Sequence, residues 1–421
     1  MHNHAAMTAA ASLSLDLGPQ ASSQGVCAPL GFRGGAAAAD MRGAGIADRL
    51  DVALVVSDQP CVSAGVFTRN LVKAAPVVIS QLSLRQQRIQ AVVLNAGNAN
   101  ACTGAQGFRD ALAMAKAAAD ACELDPQQVL ICSTGVIGRP MPMDRLVRGI
   151  QDAAATLDPG RGPEVAAAIM TTDLVPKTSV TTFAAGGRSY TVGGVAKGSG
   201  MIHPDMATLL AVVTTDAPVA PGALQPLLGR VADSTFNCVT VDGDTSTNDT
   251  LLLLANGAAG GDPFEPGSPQ LAALEAAVLQ VCDDLAEQVV ADGEGAQKHF
   301  RVAVRGAVDQ AQARLAARTV AGSPLVKTAI HGADPNWGRI VAALGRSGAA
   351  FTLDRVEVAI GGLPVFSAGA PSAVDLEAVR RVFEQARVDI DIDLGAGEAA
   401  GHAWGCDLTD GYVRINADYT T

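Results

Sequence analysis

Short aliphatic runs set the tightest limit on how this chain folds. Val52–Val56, Val77–Ile79, Ile89–Leu94, Leu209–Val213 and Leu251–Ala255 are apolar at nearly every position and are flanked by small or polar residues. Runs of this length and pattern read as buried strands. Between them lie helical patterns. Gly107–Cys122 is alanine-rich, Met143–Ala154 and Pro163–Met170 follow, and Leu224, Leu227, Leu228 and Val231 share one face. A longer helix behind the Ser268-Pro269 cap pair carries Leu271, Leu274, Val278, Val281, Leu285 and Val289 at three-four spacing. Strands and helices mixed along the whole chain predict a layered α/β fold.

Composition narrows the function. Hydrophobic residues make up 48% of the 421 and aromatics only 4%, so the core is built from Ala, Val, Leu and Ile. A formal net charge of -12 repels phosphate backbones and argues against a nucleic-acid partner. No apolar run reaches the ~18 residues of a membrane span. Residues 1–25 are Ala/Ser-rich, with no basic region ahead of a sustained apolar segment, and read as a disordered extension rather than a signal peptide. The eight cysteines form no C-x-x-C pair and the six histidines are scattered, so no metal site is expected. Reduced thiols of this kind suit a cytoplasmic enzyme.

Several stretches carry chemistry rather than packing. Asn95–Gly104 reads as a loop of amides and glycines, and Ser133-Thr134-Gly135 follows an apolar strand end at Val129–Cys132. Hydroxyl and N–H donors converge in such a turn and suit an oxyanion, although a tight turn alone needs the same residues. Strands Ser179–Phe183 and Tyr190–Val195 deliver Lys197-Gly198-Ser199-Gly200, a glycine-flanked lysine that leads through Pro204 to Ala207-Thr208. The Asp/Asn-rich Thr240–Thr250 lacks a calcium loop's spacing and closing Glu. Glu294 sits between two glycines. Pro324–Ile330 reads as a strand, and His331–Ile340 turns into a helix. Val388–Asp393 alternates with period two, which puts its Asp residues on a solvated strand face. A helix near Ser372–Gln385 and a final strand at Ile415–Thr421 complete the chain.

The blocks Asn95–Gly104, Ser133–Gly138, Thr171–Lys177, Lys197–Leu210, Thr240–Thr250, Asp292–Ala296, Ser323–Ile340 and Asn416–Thr421 stand in the order found in ornithine acetyltransferases. The chain resembles these ArgJ-type enzymes of arginine biosynthesis from about Val26 to Thr421. The resemblance implies a helix-sheet-sheet-helix sandwich, shared with self-cleaving aminopeptidases of the DmpA type, and a smaller α/β domain over roughly the last hundred residues. It also implies self-cleavage between Ala207 and Thr208, giving an α chain of residues 26–207 and a β chain of residues 208–421. Asp205 and Ala96 stand where the family more often has Asn and Ser.

A threonine hydroxyl needs a base to act as a nucleophile. Freed as an N-terminus, Thr208 would supply one from its own amine, whose reference pKa is about 7.7–8.0. Carried over position by position, the resemblance makes Thr208 the acetyl-carrying nucleophile and Thr134 with Gly135 the oxyanion hole. Thr171, Lys197, Thr208, Glu294, Asn416 and Thr421 bind substrate, with Thr172 an alternative to Thr171. The implied reaction moves acetyl from N2-acetylornithine to glutamate with no metal or redox cofactor, in a heterotetramer of two α and two β chains.

Two other readings stand beside this one. A self-cleaving amidohydrolase of the related fold would hand the acyl group to water, and a catalytically dead binding protein would not cut itself at all. Within the family some members also draw acetyl from acetyl-CoA. No residue decides that point, although the terminal Asp418-Tyr419-Thr420-Thr421 leans towards the bifunctional kind.

Overall fold

The computed structural model describes residues 24–43, 45–46, 48–86, 88–203 and 209–418. Ala207, Thr208, Thr421 and most of the N-terminal extension lie outside the described residues. The first part of the chain forms β1 (Phe32–Ala37), β2 (Val52–Phe67), α1 (Ala75–Ser83), β3 (Ile89–Asn98), α2 (Gly104–Cys122) and β4 (Val129–Val136). It continues with α3 (Met143–Ala155), α4 (Gly162–Ala168), β5 (Lys177–Ala185) and β6 (Arg188–Lys197). After it come β7 (Leu210–Thr215), α5 (Leu224–Ser234), β8 (Val239–Thr240), β9 (Thr250–Ala255) and α6 (Pro269–Ala291). Then follow β10 (His299–Ala307), α7 (Gln310–Ala321), α8 (Pro324–His331), α9 (Trp337–Gly345), β11 (Glu357–Ile360) and β12 (Leu363–Ser367). The rest is β13 (Ala370–Pro371), α10 (Leu376–Phe383), β14 (Arg387–Asp393), β15 (Ala399–Cys406) and α11 (Asp410–Asp418).

Among the described residues one sheet has the order β4-β3-β2-β9-β7-β6-β5, with β1 on β2. The long strand β2 folds it into two layers. Its first part pairs with β1 and β3, its register shifts between Val56 and Cys61, and Val62–Phe67 pairs with β9. The apolar runs now have a physical reason, because alternate residues of one strand serve different cores. In β9, Leu252 and Leu254 face inward together with Val92, Leu94, Leu130, Val195 and Val212. Leu251 and Leu253 face outward onto Leu227, Leu228 and Val231 of α5 and Leu274, Val278 and Leu285 of α6. On the opposite outer face Leu54, Val93 and Ile131 meet Met114 and Ala118 of α2 and Leu146 and Ile150 of α3. The fold is the α/β helix-sheet-sheet-helix sandwich.

The strands on either side of residue 208 are interleaved in this sheet. β7 pairs antiparallel with β6 and parallel with β9, and β9 pairs with β2. Strands from the second half of the chain therefore lie between strands from the first.

A second sheet runs β13-β12-β11-β14-β10-β15-β8 among the described residues. One face packs on α7 to α10 through Val302, Ala316, Val320, Ile330, Leu344, Phe383 and Ile390. Trp404 and Cys406 of β15 join the core of α6 instead, which ties the two sheets together. Asp389 and Asp391 are exposed on β14, as period two requires.

Four readings need correction. Val77–Ile79 lies in α1, where Pro76 suits the first helical turn and Val77 packs with Ala74, Ala99 and Ala101. Pro324–Ile330 is helical for the same reason: Ser323-Pro324 opens α8, and Val326, Ala329 and Ile330 bury one helical face. Residues 410–418 form α11 rather than a strand, with Arg414 pairing to Asp410 one turn away. Finally, β3 and β4 run on through Asn98 and Val136, so much of each loop read there is strand.

Candidate active site

The ends of β3 and β4 are shaped by two glycines. Gly97 and Gly135 face each other across the parallel pair, with φ of 108° and 128°. A Cβ on Gly135 would fall 2.3 Å from the Gly97 carbonyl carbon, so no other residue fits. Asn248 pins both strand ends from below, donating to the carbonyls of Ala99 (2.7 Å) and Ser133 (2.8 Å). Thr134 and Gly135 are thereby held at the wall of a cavity that Thr171, Thr172, Lys197, Glu294 and Asn416 also line.

Lys197 ends β6, opposite Leu210 in β7. The register brackets the connection that contains Thr208 between these two residues. Lys197 is buried, its Nζ lying 3.4 Å from Thr134 Oγ1 and 3.9 Å from Asp173 Oδ2. Burial pushes its pKa below the ordinary lysine value, and the Asp173 carboxylate opposes that.

Asp173 is the hub. Its Oδ1 accepts from Lys177 Nζ (2.7 Å) and the Gly198 N–H (2.7 Å), and its Oδ2 from the Thr171 N–H (2.9 Å). Burial alone would raise its pKa, but Lys197, Lys177 and these bonds outweigh it and hold the carboxyl well below the usual range. Lys177, fully buried, also donates to Asp292 Oδ2 (2.6 Å), and Ser199 Oγ donates to the Asp292 carbonyl (2.6 Å).

Replacing a lysine between two buried carboxylates leaves both uncompensated. Lys177→Met is therefore expected to destabilise the protein by about 3–5 kcal/mol. Denaturant unfolding monitored by far-UV circular dichroism checks this, and a loss under 1 kcal/mol would contradict the assigned network.

Two residues after Lys197, the chain meets Glu294. The Glu294 N–H donates to the Ser199 carbonyl at 2.9 Å. A Cβ on Gly200 would come within 2.3 Å of the Glu294 carboxylate, so the glycine makes room for that acid. Asn416 of α11 donates to Glu294 Oε2 at 2.8 Å. Gly295 (φ 70°) lets α11 sit directly on the turn, where a Cβ would strike the Tyr412 N–H at 2.4 Å, and Thr409 Oγ1 donates to its carbonyl at 2.7 Å.

Sequence reasoning missed the residues that grip the backbone on both sides of residues 204–208. Asp242 accepts from the N–H groups of Met201 (2.6 Å) and Ile202 (2.8 Å). Asp249, buried, accepts from the Leu209 N–H and lies against the hydroxyls of Thr68 and Ser246. Burial raises the pKa of both acids, that of Asp249 far above the usual carboxylate value. The Asp/Asn cluster that resembles a calcium loop thus spends these two carboxylates on backbone amides. The signal was an Asp two residues before the apolar run Leu251–Ala255, where a buried acid needs partners.

The cavity gathers Thr134, Gly135, Thr171, Lys197, Glu294 and Asn416 from separate segments of the chain. Thr171 Oγ1 lies 3.5 Å from Asp173 Oδ2, and Thr172 lines the same cavity. The remaining sequence-predicted positions, Ala207, Thr208 and Thr421, lie outside the described residues.

Comparison with known proteins gives this arrangement a lineage. The arginine biosynthesis bifunctional protein ArgJ of Symbiobacterium thermophilum is 52% identical over 397 residues, covering 94% of this chain and 98% of that protein. Its counterpart in Dehalococcoides mccartyi is 45% identical over 408 residues, covering 97% and 99%. A crystal structure of the argJ protein of Bacillus halodurans matches 49% of this chain and 98% of its own at 44% identity, with a TM-score of 0.48. The ArgJ family model spans residues 35–421, so with these relatives the chain belongs to the ArgJ family.

Proposed function

We propose that the chain cuts itself between Ala207 and Thr208 and that the freed Thr208 carries acetyl from N2-acetylornithine to glutamate, in arginine biosynthesis. One observation supports this most: a single cavity holds the buried cation Lys197, the buried anion Glu294 and the Thr134-Gly135 turn. An amino acid carries one carboxylate and one ammonium, and Lys197 and Glu294 complement them. Asn416 orients Glu294, and Thr171 or Thr172 contacts the substrate beside Asp173. Thr134 and Gly135 stabilise the oxyanion that forms when the acetyl carbonyl is attacked. Thr421 completes the substrate site.

The Thr208 amine takes the hydroxyl proton and returns it to the leaving ornithine amine, so the step needs no metal or redox cofactor. The working enzyme is a heterotetramer of two α and two β chains in the cytoplasm. Buried thiols pushed up to about 12, as at Cys61 and Cys132, suit a structural role in a reducing compartment.

The site holds one amino acid at a time, so ornithine leaves before glutamate binds. Processed enzyme given acetylornithine alone should gain about 42 Da, one acetyl, on the fragment that begins at Thr208. Glutamate should then discharge it as N-acetylglutamate, with parallel double-reciprocal plots. Intersecting plots with no adduct on the fragment would mean direct transfer and remove Thr208 as acyl carrier.

A further inference from the structure

The block Ser323–Ile340 stands outside the amino-acid cavity, whose walls come from other segments. It forms α8, the turn at 332–336 and the start of α9. Arg339 Nη1 of α9 donates to the Leu325 carbonyl at 2.9 Å, and the Asp334 N–H donates to the Ala329 carbonyl at 2.9 Å. Both bonds brace α8. Lys327 and His331, one turn apart, share the face that α8 turns to the chain after β15. Lys327, buried, donates from Nζ to the Cys406 carbonyl. His331 Nδ1 lies 2.9 Å from Asp407 Oδ2. Lys298 Nζ donates to the carbonyls of Ile330 (2.9 Å) and His331 (3.1 Å), a cation at the negative end of α8.

Asp407 stitches this brace to the substrate site. Its side chain is fully buried, whereas that of His331 is 34% exposed. A carboxylate taken out of water needs partners for both oxygens. Oδ2 has His331, and Oδ1 accepts from the N–H groups of Gln297 (2.9 Å) and Lys298 (3.0 Å). The Asp407 N–H donates in turn to the Lys298 carbonyl at 2.9 Å. These bonds fix the far end of the turn that carries Glu294, and the bond to the Ser199 carbonyl fixes its near end. A Cβ on Gly293 would come within 2.9 Å of Cys406 Sγ, so the turn and the end of β15 are pressed together. The chain then bonds the Gly295 carbonyl through Thr409 Oγ1 and enters α11. α11 buries none of its residues, so polar bonds at its root, rather than an apolar stripe, decide where Asn416 meets Glu294.

We propose that His331 and Asp407 are positioning residues for the substrate's ammonium group, acting through Glu294 and Asn416 from outside the cavity. This rests on the amino-acid site proposed above. Facing a carboxylate, His331 Nδ1 holds the proton and donates it. Without that donor one Asp407 oxygen is buried and unpartnered, and the carboxylate shifts toward the solvent that replaces His331. The Glu294 turn and the root of α11 then lose their common anchor. Lys197 stands at the end of β6, and Thr134 and Gly135 stand in β4, so the carboxylate end and the oxyanion turn keep their places. That asymmetry separates positioning from general damage.

Calorimetric titration of processed enzyme with ornithine tests this without any transfer step. His331→Leu should weaken ornithine binding roughly tenfold, the scale of one lost hydrogen bond to a charged group. His331→Asn, whose amide nitrogen can stand in for Nδ1, should bind like wild type. p-Nitrophenyl acetate, an activated ester with no ammonium group, should acetylate the fragment beginning at Thr208 at the wild-type rate in both variants. Should His331→Leu fail to fold, Lys298→Met loosens the same end of α8 and carries the same expectations. Ornithine binding by His331→Leu equal to wild type overturns the proposal. So does His331→Asn binding as weakly as His331→Leu, or an equal slowing with p-nitrophenyl acetate, which would mark general disruption. Wild-type enzyme that binds ornithine but takes no acetyl from acetylornithine would instead overturn the acetyl-enzyme, and the calorimetry would still decide the role of His331.

Discussion

Thr208→Ala is expected to yield one uncut chain of 421 residues with no acetyl transfer. In the proposed mechanism the hydroxyl is used twice, first to attack the Ala207 carbonyl in an N-to-O acyl shift and then to accept acetyl, so a single substitution would remove both steps. Intact mass is the measurement to use, because fragments 1–207 and 208–421 are too close in length to separate well on a gel. Wild-type enzyme should give the two fragments; a full-length chain with full activity would defeat the self-processing reading. Thr208→Ser keeps a hydroxyl and should cut slowly. The proposed freed amine would also set a pH dependence. It accepts the hydroxyl proton only when neutral, so kcat/KM should climb as pH rises through about 7.7–8.0, and a flat profile there would assign the base elsewhere.

Thr134→Ala should lower kcat by about 10²–10³, the cost of one lost oxyanion donor. The reason is local. Gly135 presses against Gly97 and Asn248 ties the ends of β3 and β4 together, so the Thr134 hydroxyl is held at the cavity wall before substrate arrives. A donor fixed in advance costs no reorganisation when charge develops. The variant should keep the Lys197 and Glu294 contacts and hence a KM near that of the wild type. Cleaved Thr134→Ala enzyme with near-normal kcat would take this residue out of the chemistry.

The sandwich was legible in the sequence wherever one periodicity dominated. Leu251–Ala255 is apolar throughout because its two faces serve two cores, and the α6 stripe faces one core alone. Short segments with mixed signals misled. Pro76-Val77-Val78-Ile79 and Pro324-Leu325-Val326 carry β-branched residues, yet the prolines open helices whose tertiary contacts outweigh the weak strand preference. At α11 the short amphipathic pattern gave no clear period, and what places the helix is a contact with Gly295, far off in sequence. The cavity residues were found through resemblance to known blocks. The network beneath them was not, because the partners of Asp173, Asp242 and Asp249 are largely backbone N–H groups that every residue type offers.

The interleaving of β6, β7, β9 and β2 has a consequence for the life of the enzyme. While residues 207 and 208 are joined, the two halves of the sheet find each other at an effective concentration set by the connecting chain, of order mM for a short link. Under the proposed cleavage the same strands would hold the pieces together, but an unfolded molecule would become two polypeptides that must meet by diffusion. Each half alone would also expose unpaired strand edges, which invite aggregation. On that proposal, assembly would be a single opportunity, taken by the uncut chain. The cut molecule would then keep its shape by the slowness of coming apart rather than by any ability to return.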